Sequence, residues 1–511
     1  MKKFTTGAMM CGLLSGVCGF TVDAQKPTVV VGIMVDQLRT DYLEQLRPYF
    51  GDNGFNRLFR DGLYIPDVDF KGTVSDAPSG AAVIYTGAWP VTNGMAAAEV
   101  FEPHLKRNVP ALAVDASKLR YEYSPANLRV STVADEFFID NGTLTKIYSV
   151  AGDVQSAVVT AGHAANAAIW LDDANGRWSS PGYYTGMPPV VSNKNRTSPL
   201  SSRISSTIWR PLNTAVSKDD FTYGFNGRDA YAKLKQSAPG NTEVTNVAID
   251  LLKSLNGSGA GMVNISYSLA PITFDYDGDS RPELFDSYIR LDAELARLFE
   301  AIDAAAGSGR PVVFLSSTGY AEEPAITRVD ARIPTGEITL KKVESLLNSY
   351  LSASFGNADY VALIDGGKLY LDSKTISAKG LDIKRLRNEA KEFLLKMSGV
   401  SEVFSIDEVI HSDNRRMQNI ALGIDPKNSP DIFLLYTPGW TVVNDNVYPP
   451  VSFEARLSSP TTPAFILAPG IAPEMVTYSV DATAIAPTVS SILRIRPPNG
   501  AVSKKINLSL P

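Results

Sequence analysis

Apolar positions fall along this chain in two patterns, short unbroken runs and stripes of helical spacing, and the two alternate. The first run, Pro27-Thr-Val-Val-Val-Gly-Ile-Met-Val35, ends in Asp36. A β-branched run with no polar alternation predicts a central parallel strand buried on both faces. Helical stripes follow from Asp41 to Phe50 and from Phe55 to Arg60. Runs of the same kind recur at Gly261-Met-Val-Asn-Ile-Ser-Tyr267, Pro311-Val-Val-Phe-Leu315 and Pro463-Ala-Phe-Ile-Leu467, with helical stretches at Thr245 to Leu255, Asp286 to Asp303 and Ala482 to Leu493. This alternation predicts an α/β fold, a doubly wound and mostly parallel sheet with helices on both faces. Ligands of such sheets sit beyond the carboxyl ends of the strands, which is where Asp36 stands.

Two stretches break the pattern. Residues 118–240 are rich in Ser, Asn, Gly and aromatic residues (Trp170, Trp178, Tyr183, Tyr184, Trp209) and predict an inserted cap beside the ligand edge. Its aromatic residues form either the core of the cap or a wall on which a ligand stacks. Residues 325–445 predict a second insert, with helices at Leu340 to Tyr350 and Lys384 to Met397 around a strand, Tyr360 to Asp365. The rest of 25–511 reads as one α/β domain.

The extreme N-terminus has its own pattern. Met1-Lys2-Lys3, an apolar run from Ala8 to Phe20 and Val22-Asp23-Ala24 before Gln25 make a secretory leader, residues 1–24. The run is short of the roughly 20 residues that span a bilayer, which disfavours an uncleaved anchor. Export to the periplasm is expected, with no transmembrane segment in the mature chain. Both cysteines, Cys11 and Cys18, fall in the leader, so the exported chain has no disulfide and no thiolate chemistry.

Composition narrows the function further. Of 511 residues, 44% are hydrophobic and 20% charged, an ordinary globular balance. The net charge is -6 with no basic block, which excludes the electrostatic footprint of a nucleic-acid binder. Only three histidines exist, His104, His163 and His411, too few for zinc chemistry built on several imidazoles. Between Asp275 and Asp286, the carboxylates Asp275, Asp277, Asp279, Glu283 and Asp286 stand at positions 1, 3, 5, 9 and 12 of a calcium-loop pattern, but the glycine is at position 4 rather than 6. Calcium binding and a solvated acidic turn are both open.

Seven separate pieces stand out: Val35-Asp36-Gln37-Leu38-Arg39, Gly54-Phe55-Asn56-Arg57-Leu58, Ile84-Tyr85-Thr86-Gly87, Ala161-Gly162-His163-Ala164-Ala165-Asn166-Ala167-Ala168, Asp286 to Asp292, Ile485-Ala-Pro-Thr488 and Pro497-Pro498-Asn499-Gly500. In this order they resemble the alkaline phosphatase superfamily, in the branch of phosphate-irrepressible periplasmic phosphatases and nucleotide pyrophosphatase/phosphodiesterases. The resemblance implies two zinc ions roughly 4 Å apart, held by carboxylates and imidazoles around a Thr or Ser nucleophile. Carried over position by position, the set is degenerate. Asp36 matches the first ligand and Asp275 one of the second cluster, but Pro271, Thr318, Gly319 and Ser452 stand at other ligand positions. Ala77 stands at the nucleophile, with Ser75 and Ser79 as shifted fallbacks. Ala98, Asp153 and Gln155 stand where the family contacts the oxyanion.

Two functional expectations follow. One is an exported pseudoenzyme with no cofactor, serving as a binding or envelope-assembly component with an unidentified envelope partner or ligand. The other is an active phosphate- or sulfate-ester hydrolase using a reduced metal set around Asp36, Asp275 and nearby hydroxyls. A carbohydrate- or peptide-binding surface built on the aromatic cap is compatible with the first.

Overall fold

The computed structural model describes residues 28–118, 120–213, 221–255, 259–269, 281–307, 311–321, 335–447, 450–456 and 459–508. The leader lies outside them.

Eight strands build the central sheet: β1 (Val29–Asp36), β2 (Leu63–Ile65), β3 (Lys146–Ala151), β4 (Ala167–Asp172), β5 (Arg177–Ser179), β6 (Gly261–Ser268), β7 (Val312–Ser317) and β8 (Ala464–Leu467). Their order is β2-β8-β7-β1-β6-β3-β4-β5. From β7 to β4 every pairing is parallel. The edges are not: β8 runs antiparallel to β7, β2 to β8 and β5 to β4. The four runs read from sequence thus lie side by side, with β8 the one of opposite direction.

Alternation along β1 divides the core in two. Val29, Val31, Ile33 and Val35 pack with helices α4 (Ala238–Ser254) and α5 (Arg281–Ala306), while Val30 and Met34 pack with α1 (Ala77–Thr86), α2 (Val133–Asn141), α3 (Val154–Ala161) and α6 (Ile485–Leu493). Side chains that alternate every second residue feed both cores from one strand, which is why the run had no polar positions. Gly32 is required on the second face. A Cβ there would overlap the Tyr85 hydroxyl, which donates to Asn264 Oδ1 at 3.0 Å.

The expected cap over 118–240 is corrected by the topology. β3, β4 and β5 come from within it and extend the main sheet, because Lys146–Ala151 and Ala167–Asp172 are mostly apolar, mostly buried runs like the other central strands. The second stretch differs. From Glu337 to Glu454 it forms a three-stranded and a four-stranded sheet around its own core of Leu340, Leu347, Ile364, Leu386 and Ile432. This satellite docks on a hairpin, Glu99–Glu102 with Arg107–Pro110, through stacked Phe101 and Tyr370 rings at 4.4 Å, Lys106 to Asp372 at 2.6 Å and Asn108 to Asp365 at 2.6 Å.

Candidate functional site

Sheet register brings the candidate residues together. Met34 and Asp36 face Ser266 and Ser268 across the β1/β6 ladder, and Val35 pairs with Ser317 across β1/β7, so Thr318 comes level with Asp36. All four polar residues therefore share the face covered by α1 and α3. Thr318 Oγ1 donates to Asp36 Oδ1 at 2.9 Å and Ser268 Oγ to Asp36 Oδ2 at 3.5 Å. Above them lies a cavity of about 310 Å³ at the carboxyl edge of the sheet. Asp36, Ala77, Asp153, Ser156, Ser266, Ser268 and Thr318 line it, with Lys235, Asn241 and Trp178 on the far wall.

Helix ends shape the floor. Asp76 caps α1: its Oδ1 accepts the Ser79 amide at 2.9 Å and its Oδ2 the Ala98 amide at 2.6 Å. Asp153 caps α3 through the Ser156 amide at 2.9 Å. Both helix N-termini thus carry a carboxylate of the chain itself, which satisfies one amide of each first turn. Gly80 lets α1 approach β7, since a Cβ would collide with the Thr318 carbonyl oxygen.

The structure sorts the residues read from sequence. Asp36, Ala77, Asp153 and Thr318 meet at the cavity. Ser79 is buried and turned back, donating to the Asp76 carbonyl at 3.0 Å, while Ser75 is exposed with its hydroxyl 3.4 Å from Asp76 Oδ2. Neither lines the cavity. Gln155 bridges backbone instead, donating to the Ala98 carbonyl at 2.8 Å and accepting from the Leu112 amide at 3.2 Å. Gly319 packs at φ 82° against the Phe70 ring. Ser452 is a correction: it sits exposed on the strand Val451–Glu454, paired with Val443 in the satellite, because that hairpin carries it away from the main sheet.

Pro271, Asp275, Asp277 and Asp279 lie outside the described residues. The calcium pattern is corrected at its other end. Glu283 and Asp286 belong to the start of α5, where helical geometry turns them toward the chain. Asp286 accepts Trp209 Nε1 at 2.6 Å, the Leu212 amide at 2.6 Å and Arg290 Nε at 2.7 Å, and Glu283 accepts the Tyr223 hydroxyl at 2.7 Å. A buried carboxylate engaged by three donors is not a free twelfth-position ligand.

Of the aromatic residues, Trp178 alone among the five lines the cavity. Its backbone is clamped by Asn195, which accepts its amide at 3.0 Å and donates to its carbonyl at 2.8 Å. Trp170 packs edge-on to Tyr123, Tyr183 to Tyr184, and Trp209 to Phe221. Trp209 and Tyr184 are buried packing residues, Trp170 is half-buried, and Tyr183 is exposed. The histidines do not converge either. His104 and His411 are exposed, and His163 lies between Asp135 Oδ2 at 3.0 Å and the Leu128 carbonyl at 2.9 Å.

Among the described residues no three His, Cys, Asp or Glu side chains gather as a metal site. Asp173 is paired with Lys235 at 2.6 Å, Asp153 caps a helix, and Asp36 takes two hydroxyls. With no imidazole present, the donor set among the described residues does not fit a zinc pair. Reading from sequence missed Asp76, Ser156 and Lys235. The spacings Asp76 to Ser79 and Asp153 to Ser156 are capping patterns and were legible. The Lys235–Asp173 pair spans 62 residues and was not.

Residues 30–459 match the family of type I phosphodiesterases and nucleotide pyrophosphatases. The chain belongs to this family. It is 27% identical to a Myroides odoratus protein named calcium-transporting ATPase, over 99% of this chain and 98% of that one. It is 26% identical to alkaline phosphatase PafA of Elizabethkingia meningoseptica, again over 99% and 98%. The crystal structure of wild-type PafA matches with a TM-score of 0.80 and 25% identity, covering 94% of this chain and 98% of that one. Among the described residues no helix is long and apolar enough to cross a membrane.

Proposed function

We propose that this phosphodiesterase-family protein is exported and has given up ester hydrolysis for binding, as a component of the cell envelope. The observation that carries the reading is Ala77 on the cavity wall, on the same side of the sheet as Asp36. Hydrolysis by this family needs an activated oxygen nucleophile and positive charge on the developing oxyanion. Ala77 offers a methyl group. Ala98 contributes backbone already bonded to Asp76, Asp153 adds negative charge, and Gln155 is spent on backbone. The secretory pattern before Gln25 supports export.

The test is turnover. Purified protein should release no more nitrophenol than a blank from p-nitrophenyl phosphate, bis-p-nitrophenyl phosphate or p-nitrophenyl sulfate, with zinc or calcium added. Ala77→Thr alone should not restore activity. Turnover in the native protein that Ser75→Ala or Ser79→Ala abolishes would establish the reduced-site hydrolase instead.

A further inference from the structure

We propose that His163 is a proton-operated latch between the main sheet and the satellite: its imidazolium holds the Leu128 carbonyl, the guanidinium of the next residue holds Asp425 of the satellite, and loss of the ring proton loosens both. This coupling is independent of whether the cavity turns over esters.

One side of the ring is fixed. Asp135, 4% exposed, closes the capping box of α2. Its Oδ1 accepts the His163 and Ala164 amides at 2.7 and 2.8 Å, and its Oδ2 accepts the Thr132 amide at 2.8 Å, the Thr132 hydroxyl at 2.9 Å and His163 Nδ1 at 3.0 Å. The other side is the Leu128 carbonyl, 2.9 Å from Nε2 on a buried residue. The same peptide group carries the Arg129 amide, which donates to the Asn93 carbonyl at 3.0 Å. His163 and Asn93 together therefore fix the plane from which the Arg129 side chain leaves for buried Asp425, at 2.5 Å. Gly94 lets the two segments close up, since a Cβ there would lie 2.6 Å from the Asn127 carbonyl oxygen and 3.1 Å from Arg129 Nε. On the satellite side, Gly423 lies against the backbone of Thr73, three residues before the Asp76 that caps α1 at the cavity.

A neutral imidazole has one N–H for these two acceptors. A hydrogen bond to a carboxylate is about twice as strong as one between neutral groups, so the remaining proton stays on Nδ1 and Nε2 turns a lone pair toward the Leu128 carbonyl. A buried carbonyl without a donor is costly, and turning its peptide toward water swings Arg129 off Asp425. The groups facing the ring, among the described residues, are the Asp135 carboxylate and the Leu128 and Pro125 carbonyls. The Tyr183 and Tyr184 hydroxyls donate to the His163 and Gly162 backbone carbonyls, at 3.3 and 2.8 Å, and not to the ring. The hydrogen bond to Asp135 raises the ring pKa above 6.5, while the carboxyl stays below 3.8. The latch is therefore closed below about pH 6.5 and opens as pH rises through the folded value of His163.

With only three histidines in the chain, NMR can follow the His163 ring in the full protein. Coupling is reciprocal, so Arg129→Ala, which removes the satellite contact and leaves the ring in place, should lower the His163 pKa by about one pH unit, the equivalent of a tenfold coupling. Loss of a nearby cation by itself would raise that pKa, so the sign separates the latch from plain electrostatics. Hydrogen exchange, corrected for intrinsic rate, should show residues 423–429 about tenfold less protected at pH 9 than at pH 6 in the native protein. The difference should vanish in Arg129→Ala and in His163→Gln, whose amide does not titrate, and persist in Asn108→Ala, which weakens the hairpin contact to Asp365 alone. Equal protection at both pH values in the native protein would overturn the latch, and so would an unchanged or raised His163 pKa in Arg129→Ala. Should His163→Gln fail to fold, the Arg129→Ala titration still decides.

Discussion

His163 sits between two groups that only accept hydrogen bonds, the Asp135 carboxylate and the Leu128 carbonyl, so both ring nitrogens must carry protons. The hydrogen bond to Asp135 raises the imidazole pKa above 6.5 against the opposing effect of burial. Burial pushes Asp135 upward, but His163 and the Thr132 and Ala164 amides outweigh it and hold the carboxyl below 3.8. The two shifts have opposite pH signatures. His163, raised, contributes its full stabilisation below its unfolded pKa and loses it as pH rises through the folded value. Asp135, lowered, contributes above its unfolded pKa and loses it as pH falls through the folded value. The melting-temperature gap between the native protein and His163→Gln should therefore be widest between about pH 4 and 6.5 and narrow above that. A gap constant up to pH 9 would mean that the ring is neutral in the folded state.

At the level of elements, the N-terminus of α1 is held by one carboxylate serving two amides, and its body by one missing side chain. Asp76→Ala removes the helix cap and also leaves the Ala98 amide without its partner. We expect a loss of about 1–2 kcal/mol, read as a lower urea midpoint with an unchanged slope. Gly80 sets propensity against packing. In a free helix Gly→Ala gains about 1 kcal/mol. Here the added Cβ would strike the Thr318 carbonyl, backbone that cannot swing aside, so Gly80→Ala should destabilise by about 3 kcal/mol. Stabilisation by that substitution would show that α1 can shift away from β7, and the cavity with it.

Across the whole molecule, two bodies with separate cores are coupled by the hairpin Glu99–Glu102/Arg107–Pro110 and by Arg129, whose guanidinium reaches Asp425 at 2.5 Å. That hairpin begins one residue after Ala98, which Asp76 holds at the cavity floor. The satellite core can sustain its own transition once the coupling is weakened. The double variant Phe101→Ala/Lys106→Ala, which deletes the stacked ring and the ion pair to Asp372, should split the calorimetric transition in two, the satellite melting first. An unchanged single transition would assign the coupling to the contacts that remain, Asn108–Asp365 and Arg129–Asp425.

What the sequence determined by itself was everything that follows from local periodicity and motif order. Short, β-branched runs such as Val29–Val35 favour strands buried on both sides, so the sheet, its helices and the position of Asp36 at a carboxyl edge were legible, as was the family resemblance that set Ala77 beside it. Local pattern also misled: the polar, aromatic texture of 118–240 hid β3 and β4, whose six-residue strands are diluted by the loops around them. The tertiary structure alone decided which polar groups are spent and which are left open. Asp286 and Glu283 looked like free ligands in one dimension and are engaged by Trp209, Arg290 and Tyr223 in three. Ser156 and Ser266 lie 110 residues apart and carry no sequence signature, yet parallel pairing and a helix crossing bring both to one cavity. Hydrogen-bond satisfaction is a property of neighbours in space, and spacing along the chain fixes only the neighbours within one element.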